Sequence, residues 1–470
     1  MNLNKRGSNR RDFLGLSAGT LAALACGCPR LLFGEDKEKQ TLAKISPTAD
    51  SVILLFMPGG MAHTETFDPK PYVEMPRGGL EHKQIMSTFK SIDTAVDSIK
   101  FSEGLEHMAK VMDRGALIRS IRPVWSGHVP AMYHWYTGYR DTFAIDAPGV
   151  GAMIARILGP RHPDMPANIK IRTQRIAEQP QILENVGYET AGFLGTEYAP
   201  FVIPDVSQAL QVVRPKIQVD RFENRQKLYK DLMAQSPVGQ VGSAYQKESM
   251  ERAMDGAYRL MTSPVAKAFD LSQEKQEVAN AYKTSPYGEM FLLARRLVEH
   301  GARFVEVRPA FNSKTFNGRN AQWDSHKSGH QMYTDMKNLY DAPMAQLIMD
   351  LEQRGLLDRT LVVIASEFSR THDQGNGKVE DYSKYGFHGH FSGASCALLF
   401  GGGVKKGVVY GKTADEFPCA ATDNIVAIED VHATIYHTLG IPSDYALEVE
   451  KRPFKVTQDG AGKAIKEILA

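Results

Sequence analysis

Gly355-Leu-Leu-Asp-Arg-Thr360-Leu-Val-Val-Ile-Ala365-Ser366-Glu367 is the stretch that decides the fold. Thr360 to Ala365 is a short, β-branched apolar run with no polar alternation. That is the pattern of a strand buried on both faces. Just upstream, Asp341 to Arg354 sets Leu347, Ile348 and Leu351 on one helical face, and Gly355 ends that helix. The unit is helix, glycine, buried strand, and it recurs. Tyr287 to His300 carries Met290, Leu293, Leu297 and Val298, stops at Gly301 and leads into strand Arg303–Val307. Ser51 to Met57 is another buried strand, the first along the chain, ended by Pro58-Gly59-Gly60, and Ala116-Leu117-Ile118 is a further one. Asp430 is placed to cap Val431–Leu439, which ends at Gly440. Serial units of this kind predict an α/β fold: a mostly parallel sheet with helices on both faces, in three layers. Residues 205–285 read differently. They are rich in Gln, Lys and Glu with helical spacing from Arg221 to Gln235, and a helical insertion is expected there.

The 470 residues are 43% hydrophobic and 23% charged, which excludes disordered, collagenous and coiled-coil classes. A net charge of +2 gives no basic field, so no nucleic-acid partner is expected. Lys5, Arg6, Arg10 and Arg11 precede an apolar run from Leu16 to Ala25. The pair in Asn9-Arg10-Arg11-Asp12-Phe13-Leu14 looks like a twin-arginine export signal. We assign 1–34 to the export segment, 35–48 to a linker and 49–470 to a single domain. Periplasmic or extracellular location follows, with membrane contact only through an uncleaved or Cys26-lipidated N-terminus. Beyond that segment only Cys396 and Cys419 remain, with no CxxC motif. Cys396 lies in an apolar strand, Cys396-Ala-Leu-Leu-Phe400, and reads as a core thiol. The compartment permits a disulfide between the two, and the sequence does not fix one.

In α/β sheets, chemistry collects beyond the carboxyl ends of the strands. His63, Glu65 and Asp68 follow the first strand; Arg119, Ser126 and His128 follow Ile118. Asp324, His326 and His330 follow Val307, Glu367 and Arg370 follow Ala365, and His388 and His390 precede Cys396. This oxygen and nitrogen donor set suits zinc, manganese, iron, magnesium or calcium. Asp324-Ser-His326 on its own is more often a surface turn than a ligand pair. Glu367 reads equally as a hard-cation ligand or as the ion-pair partner of Arg370. His330 could be the ligand if the following helix starts early, but reads more readily as solvated; Lys70 reads as a solvated charge, Asp68 as a turn residue and Gly401–Gly403 as a turn. His390 is the better ligand and His388 a supporting residue.

Gly59-Gly60, Thr66-Phe67-Asp68-Pro69-Lys70-Pro71, Trp323-Asp324-Ser325-His326, Ser366-Glu367-Phe368-Ser369-Arg370-Thr371 and Gly401–Gly403 occur in fixed order from about Val52 to Ile441. Together they resemble the exported bacterial family called domain of unknown function 1501. That family in turn resembles the alkaline phosphatase and sulfatase superfamily. The stretch ending at Glu367 is similar to the sulfatase stretch ending Ser-Asp-His/Asn-Gly, and Asp430 through Pro442 to its closing helix. The resemblance implies an alkaline phosphatase-like sandwich and a metal-dependent hydrolase of phosphate or sulfate esters. Asp324, His326, Glu367, His390 and Glu65 would hold one divalent metal (zinc, manganese, magnesium or calcium). Arg370 would steady the developing anion, and His128 would be base or nucleophile. The substrate would be an anionic ester or a sulfated or phosphorylated polysaccharide. The departures are specific. Met57-Pro58 stands where the superfamily has a strand-end Asp, leaving Glu65 or Asp68 to substitute. Phe368 replaces a ligand. His128, ten residues before Gly138, occupies the nucleophile position, where it could bind metal, act as a base or accept a phosphoryl group, with Ser126 a hydroxyl alternative. These losses motivate an alternative: a non-catalytic binding or assembly protein with a structural metal or none.

Overall fold

The computed structural model describes residues 45–470 except 75–78, 142–145, 173–189, 215–217, 236–243, 310–312, 317–318, 322, 327–328, 373–377, 380–386 and 450–451. The expected export segment and most of the linker lie outside the described residues. The central sheet has eight strands. They are β1 (Ser51–Phe56), β2 (Gly115–Ile121), β3 (Asn168–Arg172), β4 (Phe201–Ile203), β5 (Phe304–Arg308), β6 (Thr360–Ala365), β7 (Ser395–Phe400) and β8 (Val408–Tyr410). Their spatial order is β8-β2-β7-β6-β1-β5-β3-β4. At its centre β1 runs parallel to β6, Ser51 opposite Thr360 through Phe56 opposite Ala365, and parallel to β5 on its other side. β7 alone is reversed, antiparallel to both β6 and β2.

Alternation along β1 divides the core. Ile53 and Leu55 join one apolar cluster with α5 (Gly288–Glu299) and α6 (Gly329–Gln353). Val52, Leu54 and Phe56 join another with α1 (His128–Thr137), α2 (Val150–Leu158) and α7 (Ile428–Thr438). Every residue of β1 and of β6 is buried, as strands covered on both faces require. The three-layer α/β reading therefore holds. Residues 205–285 contain α3 (Val219–Gln235) and α4 (Ala244–Thr262) and, among the described residues, no strand. A buried charge network fastens this region to the sandwich. Glu274 pairs with Arg295, with Arg296 (3.0 Å) and with Arg354 (3.0 Å), while Asp350 takes Arg295 Nε at 2.9 Å. No helix among the described residues is long and apolar enough to cross a membrane.

Two expected boundaries shift. α6 starts at Gly329 rather than near Asp341, because Tyr333, Met336, Leu339 and Tyr340 extend its buried face upstream. Asp341 then accepts the backbone N–H groups of His107 (2.9 Å) and Met108 (2.8 Å) and caps a neighbouring turn. Asp430 is not the capping residue of α7. The helix begins one turn earlier, and Asp430 Oδ2 reaches back to accept the Ala427 N–H at 2.9 Å.

Candidate metal centre

The carboxyl edge of the sheet gathers residues from four separate segments. β1 exits into Gly59-Gly60, β2 leads to His128 at the first turn of α1, and β5 leads to Asp324 and His326 ahead of α6. β6 exits into Glu367 and then a two-stranded ribbon, Ser369–His372 against Phe387–Phe391, in which Arg370 lies opposite His390. Because β7 is reversed, its entry lies at this edge, and His390 arrives where the other strands end. The walls approach closely at Gly59. Its φ is +121°, and a Cβ there would sit 2.4 Å from the Asp324 backbone nitrogen, so only glycine fits.

Asp324 is the hub. Its Oδ1 lies 2.9 Å from His326 Nε2, 3.2 Å from His128 Nε2 and 3.7 Å from His390 Nε2, and it accepts a hydrogen bond from Arg370 Nη2. One ligand atom from each of His128, Asp324, His326 and His390 lies within 4.8 Å of all the others. Donors around one tetrahedral cation at zinc-like bond lengths stand about 3.4 Å apart. The spacing suits a single ion. The Nε2 of His390 is buried and, among the described residues, has no hydrogen-bond partner, as suits a nitrogen that could bind a cation. The set is capable of coordinating a divalent metal.

Behind the cluster, His128 Nδ1 meets Glu367 Oε1 at 2.7 Å. Glu367 also accepts the Gly59 N–H at 2.8 Å and the Ser366 hydroxyl at 3.0 Å. His390 Nδ1 donates to the Ser126 carbonyl at 2.7 Å. Phe368 packs its buried ring against both imidazoles, at 4.8 Å centroid separation from each. Burial raises the Asp324 carboxyl, but His128, His390 and the Arg370 charge outweigh it and hold the group well below the usual carboxylate range. Burial lowers His128, yet Asp324 and Glu367 overcome it and push the ring up to about 9. Without a cation His128 therefore carries a proton, and metal binding must displace it.

Asp324, His326 and His390 meet as expected. His128, read from sequence as base or nucleophile, lies in the ligand cluster. Glu367 stands behind His128 rather than in the cluster, because the Gly59 N–H and the Ser366 hydroxyl hold its oxygens there. Arg370 does not face an open site. It is fully buried, with Nε donating to the Gly59 carbonyl (2.8 Å) and Nη1 to the Ser325 carbonyl (3.0 Å). Glu65 is not brought to the centre: its short turn directs it to Thr88, whose N–H and hydroxyl it accepts at 2.9 and 3.0 Å. His330 lies beside that second group, at 3.1 Å from Thr88 Oγ1. Lys70 is buried, not solvated, between Asp68 (3.6 Å) and Asp415 (2.9 Å). Asp68 also meets Arg119 at 3.4 Å and is an ion-pair residue. His63 uses both ring nitrogens, on Ser369 Oγ and the Cys419 carbonyl. Cys396 and Cys419 are buried free thiols. The side chain of His388 lies outside the described residues. The supporting Gly59 N–H and Ser126 carbonyl escaped sequence reading because backbone groups leave no residue-type signal.

The chain aligns distantly with several solved structures. One is the lipoteichoic acid synthase LtaP from Listeria monocytogenes, at 9% identity and TM-score 0.39, covering 84% of this chain and 72% of that one. A protein of the alkaline phosphatase superfamily from Vibrio parahaemolyticus aligns at 9% identity and TM-score 0.37, covering 97% and 79%. The PsFucS1 sulfatase from Pseudoalteromonas sp. aligns at 10% identity and TM-score 0.35, covering 92% and 72%. No curated protein sequence matches it. Residues 49–469 match the family model described as "Protein of unknown function (DUF1501)", and the chain belongs to that family.

Proposed function

We propose that the protein is an exported, metal-dependent hydrolase of phosphate or sulfate esters. The observation that carries this reading is the convergence of His128, Asp324, His326 and His390 at the carboxyl edge of the sheet, with the buried Nε2 of His390 making no hydrogen bond among the described residues. A divalent cation, when bound, supplies a Lewis acid beside an ester oxygen. The chain's own residues do the rest. Asp324, His128 and His390 hold the charge, Glu367 fixes the His128 ring, and Arg370 keeps Asp324 ionised. In this reading His128 is a ligand, and water is the nucleophile. The water oxygen bonds to phosphorus or sulfur, the ester P–O or S–O bond breaks, and the alcohol leaves with the water's proton. The exposed rim favours a carbohydrate ester. Trp125, 39% exposed, stands next to Ser126 with Val124, and offers a flat apolar face to a sugar ring. Export by the twin-arginine route is part of the same proposal, on the evidence of Arg10-Arg11.

The test is hydrolysis of aryl phosphate and aryl sulfate esters by the metal-loaded full chain, beside Asp324→Ala and His390→Ala. Loss on the order of 100-fold or more in both variants is expected. Equal rates in all three proteins overturn the reading. One observation favours a second reading, a binding or assembly protein: four protein ligands make a closed coordination set, as structural sites do.

A further inference from the structure

The three imidazoles of the centre are not held alike. The rear nitrogen of His128 is fixed by Glu367, and that of His390 by the Ser126 carbonyl. Metal-binding histidines ordinarily use their second nitrogen in this way, which sets the ring's orientation and its basicity. His326 also presents Nε2 to Asp324 Oδ1, but among the described residues its Nδ1 has no hydrogen-bond partner. Its side chain is 58% exposed, against 9% for His128, 14% for Asp324 and 26% for His390. His390 and His128 also pack on Phe368, whereas the one ring contact of His326 among the described residues is with His390, at 5.3 Å.

We propose that His326 is a detachable ligand. Three ligands, Asp324, His128 and His390, are permanent. His326 closes the fourth position at rest and leaves it when an anionic oxygen of phosphate or sulfate type binds. No bond of the ligand is broken in the exchange; one nitrogen donor is replaced by one oxygen donor. The inference rests on the metal-centre reading above. It also reconciles a closed set of four protein donors with a site that admits substrate, since catalytic centres keep one position open.

The experiment uses the full chain loaded with Co²⁺, read by visible absorption and by chelator competition, with inorganic phosphate as probe. Each ligand of a four-donor site carries a share of the binding free energy, so His390→Ala should weaken Co²⁺ binding by more than about 100-fold. His326→Ala should weaken it by about 10-fold or less, because an unanchored ring contributes less. Phosphate should change the wild-type spectrum, and should bind His326→Ala more tightly. Free imidazole should restore the wild-type spectrum of His326→Ala and compete there with phosphate. Three results overturn the proposal: loss of metal from His326→Ala as complete as from His390→Ala, a His326→Ala spectrum identical to wild type, or phosphate without effect on either protein. If ester hydrolysis is absent while phosphate still displaces His326, the hydrolase reading falls alone. Hydrolysis with an unaltered His326→Ala spectrum removes only the detachable ligand. A wild-type chain that takes up no Co²⁺ removes both.

Discussion

Asp324 and Glu65 are both acids that the sequence offers to a metal, and the fold treats them in opposite ways. Asp324 is ringed by Arg370 and imidazoles and stays ionised. Glu65 is fully buried with, among the described residues, only Thr88 in hydrogen-bond contact with its carboxyl, and burial pushes it up to about 7 despite the pull of Lys337 and Thr88. Lys337 is itself buried and pushed down to about 7, so neither member of that pair holds a firm charge near neutrality. Depth alone does not make a ligand. A carboxylate becomes one where cationic and hydrogen-bonding neighbours keep it charged and a gap is left for a cation.

The sharpest way to break this contrast is Asp324→Ala. It strands the fully buried Arg370 without its carboxylate, and we expect a loss of about 3–5 kcal/mol in the metal-free fold, read by denaturant unfolding. A loss below about 1 kcal/mol would show that Arg370 is solvated on its own. Next in size, Glu367→Gln should weaken metal binding by about 10–100-fold through His128, in a chelator competition, with little change in fold. Undiminished affinity would remove Glu367 from its supporting role. The smallest effect is expected at Glu65. The folded group keeps its proton to about pH 7, where an ordinary glutamate loses it near 4.5. The native state therefore binds more protons across that window, and the fold loses stability as pH rises through it. Glu65→Gln should remove that slope, leaving the variant more stable than wild type at pH 7 and nearly equal to it at pH 4. Parallel pH profiles for the two proteins would place Glu65 with the ionised acids.

The layers and most of the edge residues were legible because apolar runs of strand length and glycine-ended helices are one-dimensional signals. What they cannot carry is direction: Ser395–Phe400 reads the same forwards as backwards, and its reversal emerges only from its pairing with β6 and β2. Asp324 and His326 were legible as donors after a strand end, and His390 as a donor just before a strand. Glu65 and Asp324 were not distinguishable, because their fates depend on Thr88 and Arg370, which are remote from them in sequence. Lys70 was misread for the same reason, since its partner Asp415 comes from near the other end of the chain.

The reversal of β7 also bears on how the molecule assembles. A parallel neighbour would have forced the chain around the sheet before His390 could stand beside Arg370. As built, the two are opposing rungs of one hairpin that leaves the sheet and re-enters it at the same rim. Bringing two neighbouring segments together costs less chain entropy than recruiting a distant one. Asp324 and His128 come from distant parts of the sequence, so Arg370 and His390 are the members of the centre joined by the most local pairing.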